Sequence, residues 1–272
     1  MPVTEVPIAD DVNAQVIARG TPGFSGADIK NLVNEAAMLA ARKQQTEVLM
    51  QDFEEARDKL LLGSIRTLAI QPEERHRLAV HEAGHTLLAY FLPHTDPLYK
   101  VTIIPRGHTL GGTQQLPEEE RHTLPEEYLR DRLAVILGGR TAEMELLDTV
   151  SSGAEDDIRQ ATSLARAMVA RWGMSAEIGP VDLRESEEHP FLGREIAQPR
   201  RYSEHSAEAV DNAVQILLRQ AEQRALTVIR EHKTALERLV NALKEEESLH
   251  REQIEQCLGT PDKRKILAAG PD

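Results

Sequence analysis

The sequence predicts a mainly helical protein with one small β-sheet. Apolar residues recur at spacings of three and four through most of the chain, which is the period of a helix face. The segment Tyr99–Ile104 alternates enough for a strand, and the glycine-rich stretch Arg106–Leu116 follows as a returning strand. With 272 residues, 40% of them hydrophobic, the chain can bury a helical core and form two domains.

Composition narrows the possible functions. The net charge of -13 opposes nucleic-acid binding, because a phosphate-binding surface needs clustered lysine and arginine. The single cysteine, Cys257, excludes a disulfide within the chain, so nothing demands an oxidising compartment. There is no stretch of about twenty uncharged apolar residues, and we therefore expect a soluble chain without a membrane span or signal peptide.

The first sixty residues predict a small helical unit. After a segment from Asp10 to Arg19, the run Thr21–Asp28 opens a helix, and a short helix around Asp52–Leu62 follows. The apolar face of the first of these two helices consists of Ile29, Leu32, Val33, Ala36, Ala37 and Ala40. Periodicity alone favours a plain helical bundle in this region.

A longer helix is predicted between Pro72 and Pro93. Pro72 suits the first turn, acidic Glu73 and Glu74 stand where the helix dipole favours them, and Pro93 stops the helix. Its inward stripe mixes apolar and histidine side chains, namely Leu78, His81, His85, Leu88 and Leu92. Two unpaired imidazoles in the interior would be costly, and a shared metal ion removes that cost.

The two histidines belong to the pentad His81-Glu82-Ala83-Gly84-His85. Histidines four residues apart lie on one helical face, so both imidazoles can reach one cation. Glu82 lies beside that face, where its carboxylate can accept a proton from water. The alternative is a chance match on a histidine-rich surface, and the helix signals around the pentad argue against it. The pentad therefore predicts a zinc hydrolase, with His81 and His85 as ligands and Glu82 as general base.

The pentad does not identify the third ligand. The extended pattern that adds glycine at 88 and histidine at 91 is excluded, because Leu88 and Phe91 stand there. Two later carboxylate sites compete, Glu143 and the pair Asp156-Asp157. A carboxylate from either would complete a three-ligand site.

The second of these sites resembles a helix start. Ser152 is the predicted N-cap and Glu155 its capping-box partner. Capping alone explains Glu155 fully and the two aspartates in part. A helix N-terminus also keeps a carboxylate ionised and competent as a ligand, which slightly favours Asp157. On these grounds both carboxylates stay open.

The remaining sequence is predicted to be helical, with one loop. Ile158, Ala161, Ala165, Met168 and Trp172 form a core stripe that ends at Gly173, and a long helix with its own stripe begins near Ser203. Further helices cover about Thr234–Leu243 and Arg251–Leu258. The polar stretch Arg184–Arg201 is predicted to be a mobile loop. The strand near Tyr99–Ile104 either binds an extended peptide at its edge or merely covers the pentad helix.

Several ordered motifs, spread over nearly the whole chain, resemble the FtsH family of AAA+ zinc proteases. They are Val101–Gly107, Leu116–Glu120, Leu137–Glu143, Ser152–Ala154 with Asp157, and Tyr202–Glu204. The resemblance implies that Asp157 is the third zinc ligand. The sequence departs from the family pattern at two positions. Asp156 stands where asparagine is usual, and Met144 stands where an acid commonly follows Glu143.

The resemblance also implies a domain organisation. Residues 1–63 would be the C-terminal helical lid of an AAA+ ATPase module, with Gly26 and Ala27 facing the nucleotide, and residues 64–272 the zinc metallopeptidase domain. The chain has no Gly-Lys dipeptide and hence no phosphate loop, so ATP is expected only with a missing ATPase portion. We expect a fragment of a longer protein.

The function implied is a zinc-dependent endopeptidase that cleaves unfolded polypeptides. In the parent protein this cleavage would be coupled to ATP-driven unfolding of membrane and cytosolic substrates. A homo-hexamer is expected, located at the cytoplasmic side of the bacterial inner membrane and attached there through segments absent from this chain. The alternative is a non-catalytic oligomerisation or substrate-holding module in which the metal is structural. An intact Glu82 and only three protein ligands argue against that alternative, because structural zinc sites normally have four.

Overall fold

The computed structural model describes residues 7–64, 70–106, 110–116, 123–183 and 202–259. The loop predicted at 184–201 lies outside these residues. The elements in chain order are α1 (Ala14–Arg19), α2 (Gly26–Arg42), α3 (Met50–Leu62), α4 (Pro72–Phe91), β1 (Leu98–Thr102), β2 (Gly112–Gln115), α5 (Glu126–Leu147), α6 (Glu155–Ala170), α7 (Glu204–Glu231), α8 (Lys233–Glu246), β3 (Ser248–His250) and α9 (Arg251–Leu258). The predicted fold class, mainly helical with a small sheet, is confirmed.

Helices α1 to α3 share a small core of their own. Ser25 and Asp28 form a reciprocal capping box at the start of α2, as the run before that helix predicts. The buried apolar side chains of this unit are Leu32, Ala36, Leu39, Ala40, Val48, Phe53 and Ala56. Helix α3 ends at Gly63, whose φ of 92° suits glycine. The domain boundary between residues 63 and 64 stays a prediction.

Helix α4, which carries the pentad, lies at the centre of the larger unit. It begins at Pro72 and ends at Phe91, just before Pro93, as predicted. It contacts α5, α8 and the sheet. Leu87 and Leu88 on its buried face, and Leu92 directly after its end, are fully excluded from solvent. This burial holds the histidine face at a fixed depth in the protein.

Two glycines bring α4 and α5 unusually close together. A Cβ added at Gly84 would collide with the backbone oxygen of Gly138, and one added at Gly138 would lie 2.6 Å from a Leu88 methyl carbon. Larger residues at either position would separate the helices. The close crossing sets the depth at which the next turn of α5 faces the pentad.

A second core lies among α5, α6 and α7. Ala161, Ala165 and Met168 of α6 are buried there, as the predicted stripe requires. The two ends of that stripe are corrected by the structure, since Ile158 is 46% exposed and Trp172 is 42% exposed. Trp172 lies beyond the end of α6 at Ala170, where the helical period no longer sets the direction of a side chain.

The sheet has three antiparallel strands in the order β2-β1-β3. The strand β1 confirms the alternating segment, and β2 lies within the glycine-rich stretch, of which residues 107–109 lie outside the described part. The strand β3 was not predicted, because its three residues between two helices show no usable alternation. The open edge expected on the Tyr99–Ile104 strand is wrong, because β1 is the central strand and pairs with β2 on one side and β3 on the other. In the described residues β2 pairs only with β1, so the outer edge of β2 carries no strand there.

None of the helices in the described ranges is long and apolar enough to cross a bilayer.

Candidate active site

The pentad places two imidazoles side by side. His81 and His85 lie one turn apart on α4, and their Nε2 atoms are 3.1 Å apart. Both side chains are mostly buried, with 10% and 12% of their surface exposed. Two ring nitrogens this close repel each other unless a proton or a cation lies between them.

Asp157 reaches both nitrogens from the first turn of α6. Its Oδ2 lies 3.0 Å from Nε2 of His81 and 3.3 Å from Nε2 of His85. The three donor atoms therefore form a nearly equilateral triangle. A tetrahedral zinc site with bonds of about 2.0–2.1 Å has ligand-to-ligand edges of roughly 3.3 Å. The donor set and its spacing fit one face of such a site.

The other ring nitrogen of each histidine is held by the protein. Nδ1 of His81 lies 2.8 Å from Oε1 of Glu143, and Nδ1 of His85 donates to the backbone oxygen of Val135 at 2.7 Å. When such a ring is neutral and donates through Nδ1, its Nε2 is unprotonated and free to bind a cation. Both rings are thereby oriented with Nε2 toward Asp157, which is the arrangement a metal site needs.

Glu143 is a buried carboxylate with three partners. Besides His81, its oxygens contact the Arg77 guanidinium at 2.9 Å and the Ser151 hydroxyl at 3.1 Å. Burial raises the pKa of Glu143, but the hydrogen bonds from His81, Arg77 and Ser151 lower it overall. Glu143 is thus ionised and lies on the Nδ1 side of His81, away from the triangle of donor atoms.

The charges of the site favour an ionised Asp157. Burial raises the pKa of Asp157, but the hydrogen bonds and charges of His81 and His85 lower it overall. Burial lowers the pKa of His81, while Asp157, Glu143 and the charge of Glu82 raise it to about 10. The carboxylates around the two imidazoles thus stabilise positive charge at this position, whether a proton or a bound cation carries it.

Glu82 is buried beside this cluster. Its pKa is raised, chiefly by burial, against the opposing charges of His85 and His81. The Thr113 hydroxyl on β2 lies 3.3 Å from Oε2 of Glu82, and Gly111 packs directly against the carboxylate. The sheet therefore forms one wall of the pocket that holds this carboxyl group.

Other side chains named from the sequence lie elsewhere. Asp156 is 70% exposed and pairs with Arg159, so the extra charge points away from the imidazoles, and Met144 is also exposed. Gly26 and Ala27 are exposed at the start of α2, and their relation to a nucleotide stays a prediction. Three predicted residues, His81, His85 and Asp157, are brought together, with Glu82 beside them.

The predicted N-cap of α6 is wrong. Ser151, not Ser152, accepts a hydrogen bond from a backbone N–H, and Ser152–Ala154 form a short 3-10 turn that continues into α6. Because this turn precedes α6, the N-cap residue of α6 is Ala154, whose side chain cannot cap, and Ser151 caps the turn instead. The Ser151 hydroxyl also donates to Oε1 of Glu143. The turn directs Asp157 toward the histidines.

Two glycines next to the site were missed by sequence reasoning. A Cβ added at Gly139 would lie 2.5 Å from Nε2 of His81 and 2.6 Å from Nε2 of His85. A larger residue at this position would therefore crowd the two donor nitrogens. A Cβ added at Gly111 would lie 2.8 Å from Oε1 of Glu82. The Gly138-Gly139 pair inside a helix was a visible signal, since glycine there is unfavourable without a packing reason.

The adjacent glycines Gly111 and Gly112 at the start of β2 offer a test. We expect Gly111→Ala to lower peptide hydrolysis by about tenfold or more with zinc retained, because the methyl group would collide with the Glu82 carboxylate and with the Thr102 backbone oxygen. Gly112→Ala is the matched comparison, because its Cβ would meet no atom of the described residues within 4 Å. Zinc content and hydrolysis rates of both variants are measured. Equal rates in the two variants would contradict the packing argument.

The sequence was compared with protein families and known proteins. The profile described as Peptidase family M41 matches residues 68–257, and the one described as AAA+ lid domain matches residues 11–55. Proteins named ATP-dependent zinc metalloprotease FtsH are similar as well. The relative from Hahella chejuensis is 64% identical over 94% of this chain, that from Nitrosococcus oceani 49% over 92%, and that from Syntrophotalea carbinolica 48% over 93%.

The chain spans about two fifths of the length of these relatives, namely 41% of the first and 39% of each of the others. The M41 match covers well over half of the chain, including α4, the sheet and α5 to α8. The resemblance read from the motifs is thereby confirmed. The chain belongs to Peptidase family M41, a family of metalloproteases, and carries an AAA+ lid sequence ahead of the peptidase region.

Proposed function

We propose that this chain is a zinc-dependent endopeptidase that cleaves unfolded polypeptides. The observation that carries the proposal is the triangle of Nε2 of His81, Nε2 of His85 and Oδ2 of Asp157, with edges of 3.0–3.3 Å, beside the buried carboxylate of Glu82. The names of the relatives, ATP-dependent zinc metalloproteases, support zinc as the ion.

In this proposal His81, His85 and Asp157 hold Zn²⁺. The bound ion supplies a Lewis acid that favours attack of water on the scissile carbonyl. Glu82 accepts a proton from the attacking water and later donates it to the leaving amine. Burial suits Glu82 to both roles, since a raised pKa lets the carboxyl group hold the proton between the two steps.

Glu143 and the Val135 carbonyl orient the ligands in this scheme. Glu143 contacts Nδ1 of His81, and the Val135 carbonyl contacts Nδ1 of His85. These contacts fix the orientation in which each ring directs Nε2 toward the metal position. Such outer partners commonly account for tenfold to hundredfold differences in metal affinity or activity. Arg77 and Ser151 in turn hold Glu143 in place.

The edge of β2 is the proposed site for the substrate backbone. Its inner edge pairs with β1, and Gly111 and Thr113 bring the strand against Glu82. An extended polypeptide that pairs with the outer edge would form main-chain hydrogen bonds with little regard to sequence. A folded protein cannot present such a strand, so unfolded chains are the expected substrates.

A small cavity lies at the far end of β2. It is lined in part by Gln115 of β2, by Tyr128 and Arg132 of α5, and by Val135, whose carbonyl accepts from His85. It therefore begins next to the zinc-binding residues and extends away from them along α5. We propose that it accommodates a side chain of the bound substrate.

For the whole protein we propose the activity that the names of its relatives describe. An ATPase portion ahead of the lid would unfold membrane and cytosolic substrates and deliver them to the peptidase. A homo-hexameric ring on the cytoplasmic side of the bacterial inner membrane would keep folded proteins away from the site. The AAA+ lid match supports such an assembly.

The competing function is a substrate-holding or oligomerisation module with a structural metal. The described site supplies three protein ligands, and a closed structural site normally has four. It also places a buried carboxylate beside the ligands, and a structural site has no use for this group.

The test uses a folded reporter protein and its permanently unfolded counterpart. We expect the zinc-loaded chain to cleave the unfolded form with or without ATP and to leave the folded form intact, because the chain has no phosphate loop to power unfolding. Removal of zinc with a chelator should abolish cleavage, and added zinc should restore it. Zinc-loaded protein that cleaves neither form would favour the structural module, and ATP-dependent loss of the folded reporter would reveal an ATPase site.

A further inference from the structure

Helix α3 of the lid contacts the sheet through charged side chains. Near the end of α3, Asp58 contacts Lys100 of β1 and Arg106 in the segment after β1. Both Asp58 and Arg57 contact Gln114 of β2. We propose that Asp58 is a positioning residue through which the lid holds β2 against Glu82 and thereby sets the rate of hydrolysis. This inference rests on the proposed function, since it concerns the geometry of the same site.

Asp58 is fully buried between the lid and the sheet, with 0% of its side chain exposed. Its Oδ2 lies 2.9 Å from Nζ of Lys100, and its Oδ1 accepts from the Gln114 amide at 3.2 Å. Guanidinium groups of Arg57 and Arg106 lie at 3.6 and 3.7 Å. One carboxylate thus attracts cations from both sides of this contact.

The ionised form of Asp58 is the one that this environment stabilises. Burial raises the pKa of Asp58, but the charge and hydrogen bond of Lys100, the Gln114 amide and the charge of Arg57 lower it overall. The contact between Asp58 and Lys100 therefore has a defined geometry, because a buried carboxylate or ammonium group without its partner would be costly.

Arg57 adds a second connection to the same strand. Its Nη2 donates to Oε1 of Gln114 at 3.1 Å, and its guanidinium lies 4.4 Å from the centre of the Tyr99 ring. On the lid side the Arg57 side chain passes directly against Gly20, where a Cβ would lie 2.5 Å from its Nη1. The lid therefore binds both polar atoms of the Gln114 amide.

The strand β2 links this contact to the general base. Successive residues of a strand face opposite sides, so Gln114 faces the lid while Thr113 faces α4. The Thr113 hydroxyl contacts Glu82 at its carboxylate and at its backbone oxygen, both at 3.3 Å, and the Thr86 hydroxyl at 3.0 Å. Asp58 also joins Lys100 and Gln114, which are direct partners across β1 and β2. A shift of the lid is thus transmitted to the wall of the Glu82 pocket.

Asp52 provides a matched control in the same helix. Its side chain is also 0% exposed, and it pairs with Nζ of Lys43 at 2.8 Å, but that partner lies within the lid. Asp52→Asn and Asp58→Asn therefore each remove one buried, lysine-paired carboxylate from α3. Only Asp58→Asn removes a carboxylate that pairs with a lysine of the sheet, Lys100.

The experiment measures kcat and KM for an unfolded peptide, zinc content, and hydrogen exchange of residues 110–116 in zinc-loaded protein. We expect Asp58→Asn to lower kcat by about tenfold with KM and zinc content within about twofold, since a displacement of about 1 Å at a catalytic group costs up to a hundredfold. Exchange in residues 110–116 should become faster. We expect Asp52→Asn to keep kcat and this exchange within about twofold of the wild type, even if the melting temperature falls.

Gln114→Ala is the second variant, because it removes the neutral link and leaves every charge in place. It should reproduce the fall in kcat, and it decides the matter if Asp58→Asn does not fold. If the wild type is active and the Asp58, Asp52 and Gln114 variants have equal kcat and equal exchange, the positioning role is overturned while the proposed function stands. A zinc-loaded wild type that cleaves no peptide would overturn the proposed function, and the positioning role with it.

Discussion

Glu82→Gln should leave zinc bound and lower peptide hydrolysis by at least about a hundredfold, the usual scale for loss of a general base. The proposed zinc ligands are His81, His85 and Asp157, and the substitution changes none of them. Glutamine has nearly the shape of glutamate and can still accept from Thr113, so the pocket should keep its form. It cannot accept a proton from water at neutral pH, and the loss should therefore appear in kcat.

The control for this prediction is Glu73→Gln in the same helix. Glu73 lies exposed in the first turn of α4, far along the helix from the pentad, so its replacement should leave hydrolysis unchanged. Both variants are assayed with measured zinc content. Hydrolysis at the wild-type rate by a zinc-loaded Glu82→Gln protein would remove Glu82 from the mechanism.

Asp157→Asn should cause the second large effect, a strong loss of bound zinc. Oδ2 of Asp157 is the third corner of the donor triangle, and a neutral amide is a much weaker zinc ligand than a carboxylate. Glu143→Gln should retain most of the zinc, since the glutamine oxygen can still accept from Nδ1 of His81. Elemental analysis of the purified variants measures the difference.

Asp156→Asn is the matched control for the ligand assignment. It makes the same chemical change one residue earlier, at a side chain that is 70% exposed and pairs with Arg159. Its zinc content should equal that of the wild type. Zinc loss confined to Glu143→Gln would reverse the assignment of the third ligand, and equal loss in the two aspartate variants would point to a general effect of charge.

Local patterns were sufficient for much of this protein. The period of apolar residues and the placement of Pro72 and Pro93 predicted α4 to within a residue or two, because helix boundaries depend on neighbouring residues. The pentad predicted that two imidazoles share one face, since residues four apart in a helix are neighbours. The alternating segment predicted β1 for the same kind of reason.

Contacts between distant segments were beyond those patterns. Residue patterns left Glu143 and Asp157 open as partners of the imidazoles, and only the family resemblance favoured Asp157. Both carboxylates contact His81, on opposite ring nitrogens. Which carboxylate meets Nε2 depends on the close crossing of α4 and α5 at Gly84 and Gly138 and on the turn before α6. The sequence predicted a cap at Ser152, but the capping hydroxyl is that of Ser151. This hydroxyl also contacts Glu143, which lies in another helix.

The sequence by itself determined the mainly helical fold, the paired histidines with Glu82 between them, and the family to which the chain belongs. Each of these depends on residue types at short and regular spacings. Only the tertiary structure decided that Gly111 and Thr113 contact Glu82, and that Asp58 of α3 contacts Gln114 on the same strand. Those contacts join segments far apart in the chain, and local periodicity carries no information about the distance between such segments.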